Sequence, residues 1–370
     1  MGIYDRLGVR PLVNAWGTLS VIGGSRAHPE VMEAMTEASQ AFVNTHELQR
    51  AVGKRLAELT HNEAAFVSLG AAGALLLSAC AVMAGTDERR RAQLPDTTGM
   101  KGEAIAQAIN PNGYAVCTRG SGLRIRWVGD PTHPTADELE ASIDANTACC
   151  YYFVNPDLNQ VPLADVVAVC HRHGVPVIVD AAAQFPPFEN TWKFTRDLGA
   201  DLAIFSGGKG FRGPQSAGLM VGTAELIEKV MCFCPPTHSV ARSVKASREL
   251  IVGMLAAIEV MARVPAADLF ASYEARLDTI YRLLADVPGL VIRKQFGTDV
   301  GKPFNHIRLR VDATAGITFE QLDRALDEGS PRIAVGHPAP GELLLNAEQL
   351  QPGEEYIVAG RIIDILKTGK

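Results

Sequence analysis

Leu202-Ala203-Ile204-Phe205-Ser206-Gly207-Gly208-Lys209-Gly210 runs from an unbroken apolar stretch into a glycine loop that carries a single lysine. Apolar residues on both faces of a short strand are the mark of a parallel sheet covered by helices on both sides. The same texture recurs upstream. Val175-Pro176-Val177-Ile178-Val179-Asp180 is an apolar strand that ends in a carboxylate, and it follows a helical stretch from Leu163 to His173. Ala148 to Val154 is another fully apolar strand, preceded by a helix over Ala136 to Ala145. Further back, Ala115-Val116-Cys117 and Arg124 to Val128 read as strand pieces. Ala64 to Ser68 passes through Leu69-Gly70-Ala71-Ala72-Gly73 into a small-residue helix ending at Ala84. Strands alternating with helices predict an α/β protein with a mostly parallel sheet sandwiched between helices.

At the amino end, Pro29 opens a pattern of helical spacing (Val31, Met32, Met35, Ala38, Phe42), and Leu48 to Leu59 repeats it, so two helices precede the sheet. Residues 10–18 have no clear periodicity and read as an arm or loop. Beyond Lys209, Gly218 to Gly222 reads as a strand and Ala224 to Val230 as a short helix. Cys234-Pro235-Pro236-Thr237 then marks a change of texture. Helical stretches Ser247–Ala262 and Ala266–Ala285 resemble a connector. Strand-like segments 305–311, 332–335 and 342–345 surround a helix over Thr318 to Asp327, which predicts a small α+β domain. The expected division is an arm with helices over 1–50, a large cofactor-binding α/β domain over 51–235, and connector plus small domain over 236–370.

Composition narrows the function. The 370 residues are 47% hydrophobic and 21% charged, which excludes a disordered or fibrous chain. No apolar run reaches membrane-spanning length and no signal-type segment opens the chain, so the expectation is a cytoplasmic protein without a membrane partner. A net charge of −6 with no basic tail argues against nucleic acid. The seven cysteines are an odd number, and Cys80, Cys117 and Cys170 lie in apolar runs. Cys232-Phe233-Cys234 lacks a second ligand pair at zinc-finger spacing, so no metal is expected.

The chemistry concentrates at strand ends. Lys209 and Asp180 each follow an apolar strand one structural unit apart, placing an ammonium and a carboxylate on one sheet edge. Pyridoxal phosphate needs that pair: a lysine for the Schiff base, and an acid that keeps the pyridine nitrogen protonated so that the ring accepts electrons. A solvated lysine in a polar turn and a strand-terminal Asp cap are the bland readings of the two residues taken singly. Gly70, Ala71 and Ala72 at a helix start leave backbone N–H groups for a phosphate, although close helix packing also selects small residues. Ser206 adds a hydroxyl there, and Asn155 and Gln184 fall at sheet-edge positions that reach the ring. Arg212, just after the lysine, is the leading guanidinium for a substrate anion, ahead of Arg119, Arg124 and Arg126. His28, His46, His238 and His337 lie in loops, and none is assigned a catalytic role.

These stretches resemble the fold-type I pyridoxal-phosphate enzymes, in the selenocysteine-synthase-like branch that includes D-glucosaminate-6-phosphate ammonia-lyase-like proteins. Three stretches carry the resemblance: Arg10-Pro11-Leu12-Val13-Asn14-Ala15-Trp16-Gly17-Thr18, Leu94-Pro95-Asp96-Thr97-Thr98-Gly99-Met100-Lys101, and the lysine segment from Ser206 to Gly218. The resemblance implies that Lys209 forms the Schiff base and that Asp180 is the partner of the pyridinium. It also places Asn14 and Thr18 on the substrate and implies a homodimer or larger homo-oligomer. The segment Asn112 to Gly122 stands where relatives stack a ring residue on the cofactor, and none is assigned there. The expected reaction is removal of the α-proton of an amino acid or amino-sugar acid, then β-elimination with release of ammonia. Racemisation or epimerisation through the same carbanion is the alternative enzyme reading, and a degenerate cofactor-binding regulator the non-enzymatic one.

Overall fold

The computed structural model describes residues 2–297 and 302–368. In chain order, α1 (Ile3–Arg6) and β1 (Leu12–Asn14) are followed by α2 (Pro29–Ser39), α3 (Thr45–Leu59), β2 (Ala64–Leu69), α4 (Gly70–Ala84), α5 (Glu88–Gln93) and β3 (Glu103–Gln107). Next come β4 (Arg124–Val128), α6 (Ala136–Ala141), β5 (Thr147–Phe153), α7 (Leu163–Arg172), β6 (Val177–Asp180), α8 (Asn190–Trp192), β7 (Leu202–Ser206), β8 (Ala217–Gly222), α9 (Ala224–Met231) and α10 (Arg248–Met261). The chain closes with α11 (Ala266–Leu284), β9 (Leu290–Phe296), β10 (Asn305–Val311), α12 (Phe319–Glu328), β11 (Arg332–Ala334), β12 (Gly336–Ala339), β13 (Glu342–Leu345) and α13 (Glu354–Thr368).

Two compact units result, one spanning residues 26–264 and the other joining residues 2–25 to 265–297 and 302–368. This division differs from the expected 1–50, 51–235 and 236–370. Helix α10 packs on both α2 and α3, so α2 and α10 stay with the large unit, while α11 packs on α13 in the small one. The arm joins the small unit because β1 is a strand there, pairing in parallel with β11 from Leu12 opposite Arg332 to Asn14 opposite Ala334.

The large unit holds a seven-stranded sheet in the order β2-β8-β7-β6-β5-β3-β4. Only β8 runs against the others, pairing antiparallel with β2 on one side and β7 on the other. Helix α4 is buried from Gly73 through Ala81, as expected of a helix that is apolar on every side. Its core partners include Phe66, Ile178, Ile204 and Met220 from the sheet. The small unit has a four-stranded antiparallel sheet, β12-β13-β10-β9, whose core of Ile307, Leu309, Leu343 and Leu345 packs with Leu277, Leu322 and Ile362 from three helices.

One strand assignment needs correction. Residues 115–117 lie in a 3-10 helix from Gly113 to Ser121, started by Asn112, whose side chain accepts from Tyr114 N. The strand at that position is β3, whose interior Ala104-Ile105-Ala106 is buried. Its polar ends, Glu103 and Gln107, concealed it: Gln107 is buried but its amide exchanges hydrogen bonds with the backbone of Val161.

Candidate active site

Because β2, β5, β6 and β7 share one direction, their carboxyl ends lie on one edge of the large sheet. Every large-unit residue singled out for cofactor chemistry follows one of those ends: Gly70 after β2, Asn155 after β5, Asp180 and Gln184 from β6, Ser206 and Lys209 from β7. That edge is where open α/β sheets bind ligands.

The lysine loop is a short return between two paired strands, with Ser206 opposite Gly218. Gly207 N donates to Ala217 O at 2.8 Å, Gly213 N to Gly207 O at 2.9 Å, and Arg212 N to Lys209 O at 3.0 Å. Phe211 is fully buried and stacks on Phe185 with ring centroids 3.9 Å apart, so the loop is bolted to the loop that follows β6. The glycines are required by close approach. A Cβ on Gly208 would collide with the backbone of Gln215, and one on Gly210 with the carbonyl of Phe185. Lys209 itself is half-buried.

Asp180 is 8% exposed and pairs in parallel with Phe153 and Ile204 on the neighbouring strands. Burial pushes its carboxyl above the ordinary carboxylate range, while a hydrogen bond from Ala182 N at 3.0 Å and the charge of Lys209 pull it back down.

The first turn of α4 is the third component. Gly70 sits at φ +66°, the left-handed region, which lets the chain turn sharply from β2 into the helix. No side chain caps this helix, whose N-cap is Leu69, whereas Asn44, Asp87, Thr135, Thr223, Ser247 and Thr318 cap α3, α5, α6, α9, α10 and α12. Its leading N–H groups, which need partners from outside the helix, emerge among the small residues Gly70, Ala71 and Ala72.

Asn155 closes its own turn, accepting from Asp157 N at 3.2 Å. Gln184 is 6% exposed, and its carbonyl accepts from Asn190 Nδ2 at 2.5 Å. Asn14 and Thr18 belong to the small unit; the Asn14 amide spans a tight turn, accepting from Trp16 N and Gly17 N and donating to Gly17 O. Arg212 donates from Nε to Arg26 O at 3.0 Å. Cys117, taken from sequence as a small hydrophobe, lies near enough to Asp180 for that carboxylate to add to the upward push that burial gives its thiol. Asn110, 9% exposed just beyond β3, donates to Phe153 O at 2.8 Å beside the same edge. Its polar side chain between Ile109 and Pro111 was the signal available in the sequence.

Comparison with known proteins gives the class. The aminotransferase class-V family model matches residues 114–296. A 5'-C-glycyluridine monooxygenase-decarboxylase from Streptomyces is 30% identical over 98% of this chain and 92% of its own. The D-glucosaminate-6-phosphate ammonia lyase of Salmonella typhimurium is 28% identical over 98% of this chain and 97% of its own. The solved structure of a D-glucosaminate-6-phosphate ammonia-lyase superposes with a TM-score of 0.86 at 26% identity, covering 99% of this chain and 98% of that one. The chain belongs to the fold-type I pyridoxal-phosphate-dependent enzymes, in the selenocysteine-synthase-like branch, and its cofactor is pyridoxal 5'-phosphate.

The residues at the carboxyl edge fit that group chemically. An uncapped helix start suits a phosphate, a buried carboxylate suits a protonated ring nitrogen, and a half-buried lysine beside it suits a carbonyl carbon. Among the described residues no group of three or more His, Cys, Asp or Glu is arranged to hold a metal ion, and no single helix is long and apolar enough to cross a membrane.

Proposed function

We propose that this enzyme is a lyase that removes the α-proton of an amino acid or amino-sugar acid, eliminates a β-substituent and releases ammonia. When bound, the cofactor supplies an electron sink for the pair left by the departing proton. Lys209 Nζ takes that proton, and Asp180 Oδ holds the proton of the ring nitrogen in a site dry enough to strengthen the pairing. The N–H groups of Gly70, Ala71 and Ala72, with the Ser206 hydroxyl, seat the phosphate. Asn155 and Gln184 are assigned to the ring and its phenolic oxygen, and Asn14 and Thr18 to the substrate by family resemblance.

The observation that carries this reading is the placement of Asp180 at the end of β6 and of Lys209 three residues beyond the end of the adjacent parallel strand β7. The ammonia-lyase likeness over nearly the whole chain supports the reaction type. Hydroxy-amino acids and sugar amino acids are incubated with the enzyme while ammonia, keto acid, carbon dioxide and optical rotation are followed. Ammonia and keto acid in equal amounts are expected. Loss of rotation without ammonia would establish racemisation instead, and carbon dioxide would favour the decarboxylating chemistry in the name of the Streptomyces relative. Borohydride reduction and peptide mapping should mark Lys209, and Lys209→Ala should lose the mark while keeping its fold.

A further inference from the structure

Among the described residues only His61 and Arg212 combine a side chain with a positive φ, and Arg212, at φ +53°, lies in the lysine loop. Glycines at 207, 208, 210 and 213 are free to take such a conformation, yet the left-handed position falls on an arginine. A strained residue persists where its surroundings hold it, and such outliers gather at functional sites. Here the hold is visible. Arg212 N donates to Lys209 O, Arg212 O accepts from His28 N at 3.2 Å, and Arg212 Nε donates to Arg26 O. The segment Arg26–His28 is fixed in turn, because Pro29 starts α2 and the His28 ring lies 3.3 Å from the sulfur of Met261 on α10. Pro214 packs so closely on Gly253 of α10 that a Cβ there would come within 2.8 Å of it.

Lys209 needs such a hold. Gly208 and Gly210 permit the close approach of neighbouring backbone but carry no side chains that could fix the direction of the lysine between them. We infer that Arg212 is a positioning residue: it ties the carbonyl of Lys209 to the Arg26–His28 segment and so fixes the direction in which the ammonium leaves the loop. This rests on Lys209 being the residue that carries the cofactor. It goes beyond the expectation that Arg212 binds the substrate's anion, because its Nε donates to the carbonyl of Arg26.

The test uses Arg212→Gly, which relieves the left-handed backbone and removes the Nε bond, and Arg212→Lys, which keeps the charge but lacks Nε. Both should take up cofactor to wild-type stoichiometry. In the cofactor-free protein, amide hydrogen exchange from Lys209 to Gly213 should quicken roughly tenfold in both variants. In the loaded protein without substrate, the pH midpoint of the visible absorbance band should move by about half a unit or more. A group that only holds a substrate anion would leave both readouts untouched, and that result overturns the inference. So does a lowered melting temperature with an unmoved midpoint, which a purely structural tie would give. If borohydride marks no cofactor on wild-type Lys209, the functional reading fails as well; a mark there with wild-type midpoints in both variants sinks the positioning role alone.

Discussion

At Asp180 the fold keeps an acid where burial favours its neutral form. Because the folded pKa lies above the unfolded one, the folded protein binds the extra proton, and stability falls as pH rises from the ordinary carboxylate range through the raised value. Asp180→Asn should abolish that fall in the cofactor-free protein, so its melting temperature at neutral pH should match or exceed wild type. The same variant, loaded, should exchange a substrate's α-proton with solvent deuterium slower by orders of magnitude, since an amide does not hold the ring nitrogen protonated. Exchange at the wild-type rate would remove Asp180 from the site. Gly208→Ala should fail differently, losing cofactor and stability together, because its Cβ would meet the backbone of Gln215. Asp180 and Lys209 were legible in the sequence because charge at the end of an apolar strand is conspicuous. The left-handed backbone of Arg212 was not, since a sequence displays the guanidinium and hides the φ angle.

Among elements, α4 and the arm are the informative pair. Helix α4 was readable as strand, glycine, small-residue helix, and its uncapped start follows from that choice of residues. Gly70→Ala should cost about 1 kcal/mol for the left-handed backbone and weaken cofactor retention measurably by dialysis, as the first turn shifts. The arm's strand was hidden, because three residues pairing with a distant β11 leave no period to detect. Its Arg10 caps α12, donating to the carbonyls of Glu328 at 2.8 Å, Gly329 at 3.1 Å and Asp327 at 3.3 Å. Removing it with Arg10→Ala should destabilise the protein by about 1 kcal/mol, given how exposed the side chain is, and calorimetry should register the loss. The missed β3 teaches the complementary point: a buried Gln with satisfied hydrogen bonds is as much core as a valine, but its letter is polar.

At the scale of the molecule, the α/β class was legible from repetition alone, whereas the boundaries were not, since α10 is held to α2 and α3 by contacts far apart in the chain. Assembly is where the described surface leaves an account open. Ile3, Tyr4, Leu7 and Val9 are 53%, 57%, 66% and 53% exposed, an apolar cluster for which burial against a second copy is the favourable outcome. We propose that this cluster is buried in a homodimer, so that deleting residues 1–8, which spares Arg10 and β1, should lower the mass that light scattering reads for the intact chain. A truncated chain with unchanged mass would place the interface elsewhere.

The reversed strand β8 also sets an order of assembly. It makes β7 and β8 near neighbours in the chain, so the hairpin bearing Lys209 closes a short loop at small entropic cost. Pairing of Ala64 with Gly222 must instead wait for most of the large unit to be synthesised and gathered in. On the proposed roles, the lysine's perch is then expected early in folding and the phosphate's seat late. During refolding, cofactor should at first react with Lys209 in a species from which it still washes away, and become fast only when β2 docks.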